Sequence, residues 1–240
     1  MANPSEIKII CLRPDIVQKT ARRLASYTGV SRSSGILLYG CPSLHFCRAF
    51  SSLGCRVAAL RRCPKTADAL RSEKEEENTG INIICGTFRE HDFRETFDAV
   101  FVLFGDFCSM TDPERAAFLD AVRKSLKPGG AVVFDVTTPD APEEADSGHN
   151  WIICGEEHPR LVFQKTFHYP EHNVTLEQYA MIHEDATMSI HRKWRRDFSG
   201  EEAEKLLKDF GLSVETLWGD LLGSPPPPDP CCLWIVGRKE

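Results

Sequence analysis

The sequence lacks the segments that send a chain to a membrane or out of the cell. Met1–Lys8 shows no succession of charged, apolar and small residues of the kind found in signal peptides. No apolar run approaches the length needed to span a bilayer. The net charge of -6 provides no basic excess for nucleic acid. We therefore expect a cytoplasmic protein that binds neither membranes nor nucleic acid.

Motifs that hold metals or activate nucleophiles are also missing. Although the chain has ten cysteines, it contains no C-x-x-C pair, so we expect no structural zinc site. Most cysteines lie among apolar residues and are expected to be reduced core residues. The adjacent Cys231 and Cys232 allow two interpretations, a redox pair or the packed start of a strand. We find no serine–histidine–aspartate set, no phosphate-binding P-loop and no metal-ligand cluster.

What is present indicates an α/β protein. The 240 residues, 42% hydrophobic and 27% charged, are enough for one large domain or two small ones. Short and nearly continuous apolar strands alternate with helices, which is typical of strands covered on both faces in a parallel sheet. This alternation predicts a doubly wound sheet. The predicted strands of this part are 36–39, 56–60, 81–85, 97–104 and 131–136.

The pattern changes after residue 140. An acidic loop, 141–150, is followed by three segments with alternating side chains, which predict an antiparallel meander. A capping box that begins at Ser199 then starts another helix. We predict a single domain with four parts: an N-terminal helical segment (1–34), an α/β core (35–140), a β lid insertion (141–198), and a C-terminal helix and hairpin (199–240). The meander segments are 160–169, 173–183 and 187–198.

One short segment points to a nucleotide-type site. The run Gly35-Ile-Leu-Leu-Tyr-Gly-Cys-Pro-Ser-Leu-His45 predicts a buried strand, a tight turn at Gly40 and the start of a helix. Enzymes of the α/β class bind nucleotides at such turns. Pro42 and Leu44 occupy the positions of the second and third small residues of the turn. Pro42 removes a backbone donor, and we expect Leu44 to place a branched side chain where the backbone would approach a ligand.

The chain resembles the class I S-adenosylmethionine-dependent methyltransferases from Gly35 to its C-terminus. The most specific part is Phe97-Asp-Ala-Val-Phe-Val-Leu-Phe-Gly-Asp-Phe107 followed by Leu126-Lys-Pro-Gly-Gly-Ala-Val-Val-Phe-Asp135. The segments Asn173–Tyr179 and Gly219–Asp220 are similar to a small-molecule subgroup with a β lid. The resemblance implies a Rossmann-like, seven-stranded, mostly parallel sheet with an antiparallel last strand. It also implies S-adenosylmethionine as cofactor, held outside the carboxyl ends of the strands, and a small-molecule substrate.

The resemblance further implies where the cofactor lies, and this chain departs from the family there. The family has a glycine-rich turn and three acidic residues, and these acids fall here at Leu38, at Leu60 or Arg61, and at Thr87. Each lost carboxylate removes hydrogen bonds of about 1.5–3 kcal/mol, so we expect a degenerate motif with weakened cofactor affinity. The cofactor-binding candidates are Gly40, Cys41, Ser43, Arg61, Thr87, Phe104 and Gly105.

Three residues are candidates for catalysis. Asp106 follows the fourth strand, where it is either a general base or substrate-orienting carboxylate, or the cap of a loop. His168 and Tyr179 lie on predicted lid strands and face either the pocket or the outside, because successive strand residues point to opposite sides. Two basic segments, Arg61–Arg62 and Arg192–Arg196, are interpreted as solvated strand or loop ends.

These observations leave three hypotheses for function. The first is a small-molecule methyltransferase with a degenerate cofactor loop. The second is an enzyme derived from such a methyltransferase that no longer transfers a methyl group. The third is a non-catalytic pseudo-methyltransferase that binds a partner. A homodimer is compatible with all three.

Overall fold

The computed structural model describes residues 14–40, 44–77, 80–139, 150–154, 160–183, 185–220 and 222–240. The helices are α1 (Pro14–Thr28), α2 (Leu44–Ser52), α3 (Pro64–Glu77), α4 (Asp112–Ser125) and α5 (Gly200–Asp209). The strands of the core are β1 (Gly35–Tyr39), β2 (Arg56–Arg61), β3 (Asn82–Cys85), β4 (Phe97–Val102), β5 (Leu126–Thr137), β10 (Leu212–Trp218) and β11 (Cys232–Lys239). The strands of the lid are β6 (Asn150–Cys154), β7 (Arg160–Tyr169), β8 (Val174–Ile182) and β9 (Met188–Arg196).

The core is a seven-stranded sheet with the order β10-β11-β5-β4-β1-β2-β3. Strands β1 to β5 pair in parallel, and β11 runs antiparallel to both β5 and β10. The predicted doubly wound sheet with an antiparallel last strand is therefore confirmed. The lid is a separate antiparallel sheet with the order β6-β7-β8-β9.

Both faces of the core sheet are covered by helices. Leu38 and its neighbours pack against α1, α2 and α3, while Leu37 and its neighbours pack against α4 and α5 on the opposite face. Because successive residues of β1 alternate between these two layers, the strand is apolar throughout. Among the described residues, no helix is both long and apolar enough to cross a membrane.

Three details of the sheets differ from the sequence prediction. Strand β5 begins at Leu126 rather than at residue 131. The lid has a fourth strand, β6, which pairs with β7 and begins at Asn150, where the acidic loop was expected to end. Strand β4 ends at Val102 rather than at Phe104. Phe104 and Gly105 have φ angles of 73° and 76°, so the chain leaves the extended conformation there.

The end of the lid is joined to the core by hydrogen bonds of backbone and side chain. The backbone N–H of Arg196 donates to the carbonyl of Cys108 at 2.9 Å, and that of Phe198 donates to the carbonyl of Thr137 at 2.8 Å. Asp197, which lies between them, accepts a hydrogen bond from the hydroxyl of Thr137. These contacts hold the last lid strand against the carboxyl ends of β4 and β5.

The structure places Leu44 in the core. Its side chain is fully buried in the same layer as Leu38, beneath the first turn of α2. The expectation that Leu44 faces a ligand is wrong, because the helix turns this residue towards the sheet. Cys41, Pro42 and Ser43 lie outside the described residues.

Replacing Leu44 with alanine should lower the free energy of unfolding by about 2–5 kcal/mol, because a buried methyl-rich side chain leaves a cavity. Urea denaturation of the purified protein measures this loss. Met188→Ala is the control, since Met188 is 64% exposed and its loss should cost little. A change for Leu44→Ala as small as that of the control would contradict the burial of this residue.

Candidate active site

The carboxyl ends of β1, β2 and β4 border a cavity of about 180 Å³. Gly40, Arg61, Asp106 and Ser109 line it. An adjoining cavity of about 180 Å³ shares Tyr39, Arg62 and Met110 with the first and extends to Thr87. This edge is where the strand order reverses beside β1, which is the usual ligand position in an open α/β sheet. The structure thus brings four sequence candidates to one place: Gly40, Arg61, Thr87 and Asp106.

Asp106 lies directly against the turn that follows β1. Gly40 has a φ of 68°, and a Cβ added there would overlap Oδ2 of Asp106. Both the left-handed backbone and the contact with this carboxylate require glycine at position 40. The turn glycine recognised in the sequence therefore makes room for an acidic group at the floor of the cavity.

A second carboxylate, Asp135 of β5, lies behind the turn that follows β4. The side chain is 6% exposed, and the nearby backbone N–H groups of Gly105 and Phe104 favour its ionised form. Both residues have left-handed backbone conformations. Among the described residues, Oδ1 of Asp135 has no hydrogen-bond partner. An unsatisfied buried oxygen of this kind suits a positively charged group.

Burial raises the pKa of both carboxylates. Loss of solvent raises the pKa of Asp106 to about 6, and the positive charge of Lys193 opposes this effect. The negative charge of Asp135 raises the pKa of Asp106 further, whereas Arg61 and Arg62 lower it. Burial likewise raises the pKa of Asp135 to about 6, against the hydrogen bond from Gly105. Asp106 is therefore ionised near neutral pH but titrates close to it, as expected of a general base.

Arg61 is not the solvated strand end that the sequence predicted. Its side chain is only 7% exposed, and its NH1 donates to the carbonyl oxygen of Gly40 at 2.6 Å. Arg62, by contrast, is exposed and pairs with Glu114 at 3.5 Å. A cation thus lines the cavity at the end of β2, the position where the resemblance implies a carboxylate.

The inner face of the lid carries a buried polar network. Arg195 donates to Glu177 at 2.8 Å and to Asp197 at 3.3 Å, and the hydroxyl of Tyr179 donates to Glu177 at 3.0 Å. Tyr179 is 7% exposed and belongs to this network. His168 is exposed, and its Nδ1 lies 3.3 Å from the hydroxyl of Thr175. The structure does not place His168 or Tyr179 on the cavity that Asp106 lines.

Sequence reasoning overlooked two residues of this site. Asp135 was noted only as the end of a motif, and Lys193 was interpreted as part of a solvated basic segment. In the structure, Nζ of Lys193 lies 3.9 Å from the position that a Cβ on Gly105 would occupy. The alternation along β9 was the available signal, because Lys193 pairs with Glu177, whose side chain is buried.

Comparison with known proteins shows what this arrangement is similar to. A family model described as a methyltransferase domain matches residues 36–130. Over these residues the chain is similar to methyltransferase domains. The cypemycin N-terminal methyltransferase of a Streptomyces species is 31% identical over 105 residues, which are 43% of this chain and 42% of that relative. The matched segment therefore spans less than half of the relative's length.

Solved methyltransferases share the fold across almost the whole chain. The CcbJ methyltransferase from Streptomyces caelestis superposes on this protein with a TM-score of 0.76 and 19% identity. The match spans 95% of this chain and 97% of the CcbJ chain. The amino pentose methyltransferase CalS10 from Micromonospora echinaspora, solved with S-adenosylmethionine bound, has a TM-score of 0.66 and 20% identity. The match spans 93% of this chain and 92% of the CalS10 chain. The lid and the C-terminal strands thus belong to the same fold as the methyltransferase domain.

The site fits S-adenosylmethionine by charge. The cofactor carries a sulfonium and an ammonium group, and the half-buried Asp106 and the unpartnered oxygen of Asp135 supply negative charge at the turn. At the nucleoside end, Arg61 and Thr87 would hold the cofactor as hydrogen-bond donors rather than as carboxylates. The described residues contain no cluster that could hold a metal ion.

Replacing Gly40 with alanine should destabilise the protein by more than Gly129→Ala does. Gly129 has a similar φ of 73° but nothing within 4 Å of its added Cβ, so its variant should cost only the left-handed backbone, about 1–2 kcal/mol. Urea denaturation gives both losses. In an Asp106→Ala background, the excess cost at position 40 should disappear. Equal costs for the two glycines in the otherwise unchanged protein would contradict the contact between Gly40 and Asp106.

Proposed function

We propose that this protein is an S-adenosylmethionine-dependent methyltransferase that methylates the nitrogen of a small-molecule amine. The observation that carries the proposal is Asp106. Its carboxylate lies at the carboxyl end of β4, against Gly40 and beside a cavity, with a pKa of about 6. S-adenosylmethionine, when bound, supplies an electrophilic methyl group on a sulfonium centre.

An amine is the nucleophile that these residues suit best. A buried carboxylate attracts an amine in its protonated form and then accepts the proton that the nitrogen must lose. Asp106 is ionised above pH 6 and is therefore ready for this role near neutral pH. The names of two similar proteins support an amine substrate. The cypemycin N-terminal methyltransferase refers to a chain N-terminus, and CalS10 is described as an amino pentose methyltransferase.

The lid and the arginine at the end of β2 complete the proposed site. The lid, joined to the core through Asp197, covers the carboxyl ends of β4 and β5 and excludes water from the carboxylates. Arg61, held by its hydrogen bond to the carbonyl of Gly40, would donate to the nucleoside end of the cofactor. Most of the rate would come from holding the amine in line with the transferred methyl group.

The first experiment is isothermal titration calorimetry with S-adenosylmethionine and S-adenosylhomocysteine. We expect binding with a dissociation constant on the order of micromolar. An absence of binding at millimolar ligand would remove the proposal. The two other hypotheses, an enzyme that no longer transfers a methyl group and a non-catalytic pseudo-methyltransferase, would then remain. No contact in the described residues specifically favours either.

Asp106→Asn should reduce methyl transfer by on the order of 100-fold or more, because the amide cannot accept the proton. Mass spectrometry of a panel of amino sugars and short peptides, incubated with the protein and cofactor, detects the added methyl group. Asp120→Asn is the matched control, since Asp120 is a half-exposed residue of α4 that pairs with Lys124 at 2.6 Å. The rate should also rise with pH through about 6. Unchanged turnover in Asp106→Asn would contradict the role of this carboxylate.

Location, partners and assembly remain proposals. We propose a cytoplasmic protein whose partner is a small molecule rather than nucleic acid or a membrane. The sequence also allows a homodimer, and light scattering after size-exclusion chromatography tests this directly. His168 and Tyr179 stay as proposed lid contributors to substrate binding, since Tyr179 orients Glu177 and His168 contacts Thr175.

A further inference from the structure

We propose that Lys193 is a positioning residue of this site: from the lid, its ammonium group acts as the counter-ion that keeps Asp106 and Asp135 ionised. This role rests on the proposed function only in that Asp106 is the proton acceptor. The charge relationship itself concerns residues of this chain alone. It assigns to the lid an electrostatic task in addition to the exclusion of water.

The register of the lid brings Lys193 close to the turn that leads into Asp106. Strand β9 pairs with β8 so that Lys193 lies opposite Glu177, on the face of the lid where Glu177 is buried. From there its Nζ reaches to within 3.9 Å of the position of a Cβ on Gly105. Gly105 directly precedes Asp106, and its backbone N–H favours the ionised form of Asp135. The ammonium group therefore lies beside the turn that connects the two acids.

The surroundings leave Lys193 as the main opposing charge. Among the charges that act on Asp106, that of Lys193 has the largest effect, ahead of Asp135 and of Arg61 and Arg62. Lys193 also favours the ionised form of Asp135. Asp135 further faces the thiols Cys108 and Cys232, whose pKa values are raised by burial, so both stay neutral near pH 7. The thiols therefore add no negative charge beside Asp135.

A buried pair of like charges is costly to ionise without a cation nearby. If Lys193 were neutral, the pair would hold a proton at neutral pH, and Asp106 would be less able to accept one from an amine. The lid is thus coupled to the ionisation of the core.

The test is a carbon-13 NMR titration of the side-chain carboxylates in protein labelled at aspartate, without any cofactor. Asp106→Asn and Asp135→Asn assign the two signals. In Lys193→Met, the titration midpoints of both acids should move upward by on the order of one pH unit. In Lys193→Arg, which keeps the charge, they should return towards the unchanged protein. Midpoints that stay in place in Lys193→Met would overturn the proposal.

Two controls separate this role from a merely structural one. Lys165→Met removes a lysine from the exposed outer face of the same sheet, opposite Gln178, and should leave both midpoints unchanged. If Lys193→Met does not fold by circular dichroism, Lys193→Gln replaces it, with the same expectation. Because no cofactor is present, the result is independent of whether S-adenosylhomocysteine binds. Upward shifts in Lys165→Met as large as in Lys193→Met would also overturn the proposal.

The unfolding free energy offers a second readout with a defined sign. The pKa of Asp106 is raised from 3.8 to about 6 in the folded protein, so the folded state binds more protons and stability falls as pH rises through that range. In Lys193→Met, the free energy of unfolding should continue to fall with rising pH above pH 6. In Lys193→Arg and Lys165→Met, it should not. Urea denaturation across this range measures the difference. A pH dependence identical to that of the unchanged protein would argue against the counter-ion role.

Discussion

Two neighbouring carboxylates at one edge of a sheet, Asp135 buried and Asp106 half-buried, are the constraint on which the rest of the site depends. Their ionised forms are costly there unless donors or a cation lie nearby. The backbone N–H groups of the left-handed turn at Phe104 and Gly105 favour the ionised form of Asp135. Gly40 provides the space for Asp106, and the lid provides the lysine.

Much of the fold could be predicted from local patterns. Apolar strands that alternate with amphipathic helices specified the core sheet, and side-chain alternation specified the strands from Arg160 to Arg196. The short strand β6 was missed because five residues beside an acidic loop carry little periodic signal. The placement of Leu44 was wrong for a related reason, since the motif identified its position in the sequence but not the direction in which the first helical residue points.

The site could be predicted only in part, because its charges come from distant segments. Gly40, Arg61, Thr87 and Asp106 each follow a core strand, and parallel strands bring such residues to one edge. Lys193 reaches that edge through the register of the lid, which no local pattern determines. Arg61 shows the same limit, because an arginine at a strand end is usually solvated, and only the contact with the carbonyl of Gly40 reveals its burial.

The hydrogen bonds that join the lid to β5 have a consequence for how such proteins diversify. The lid is an insertion between β5 and α5, so an exchanged lid could bring new contacts for a different substrate while the core sheet stays the same. The exchange is constrained electrically as well as sterically. A replacement lid without a cation at the position of Lys193 would fit the same two acids but leave them holding a proton. The lid residues that would contact the substrate and the lysine that acts on the pKa of the two aspartates therefore lie in the same segment of the chain.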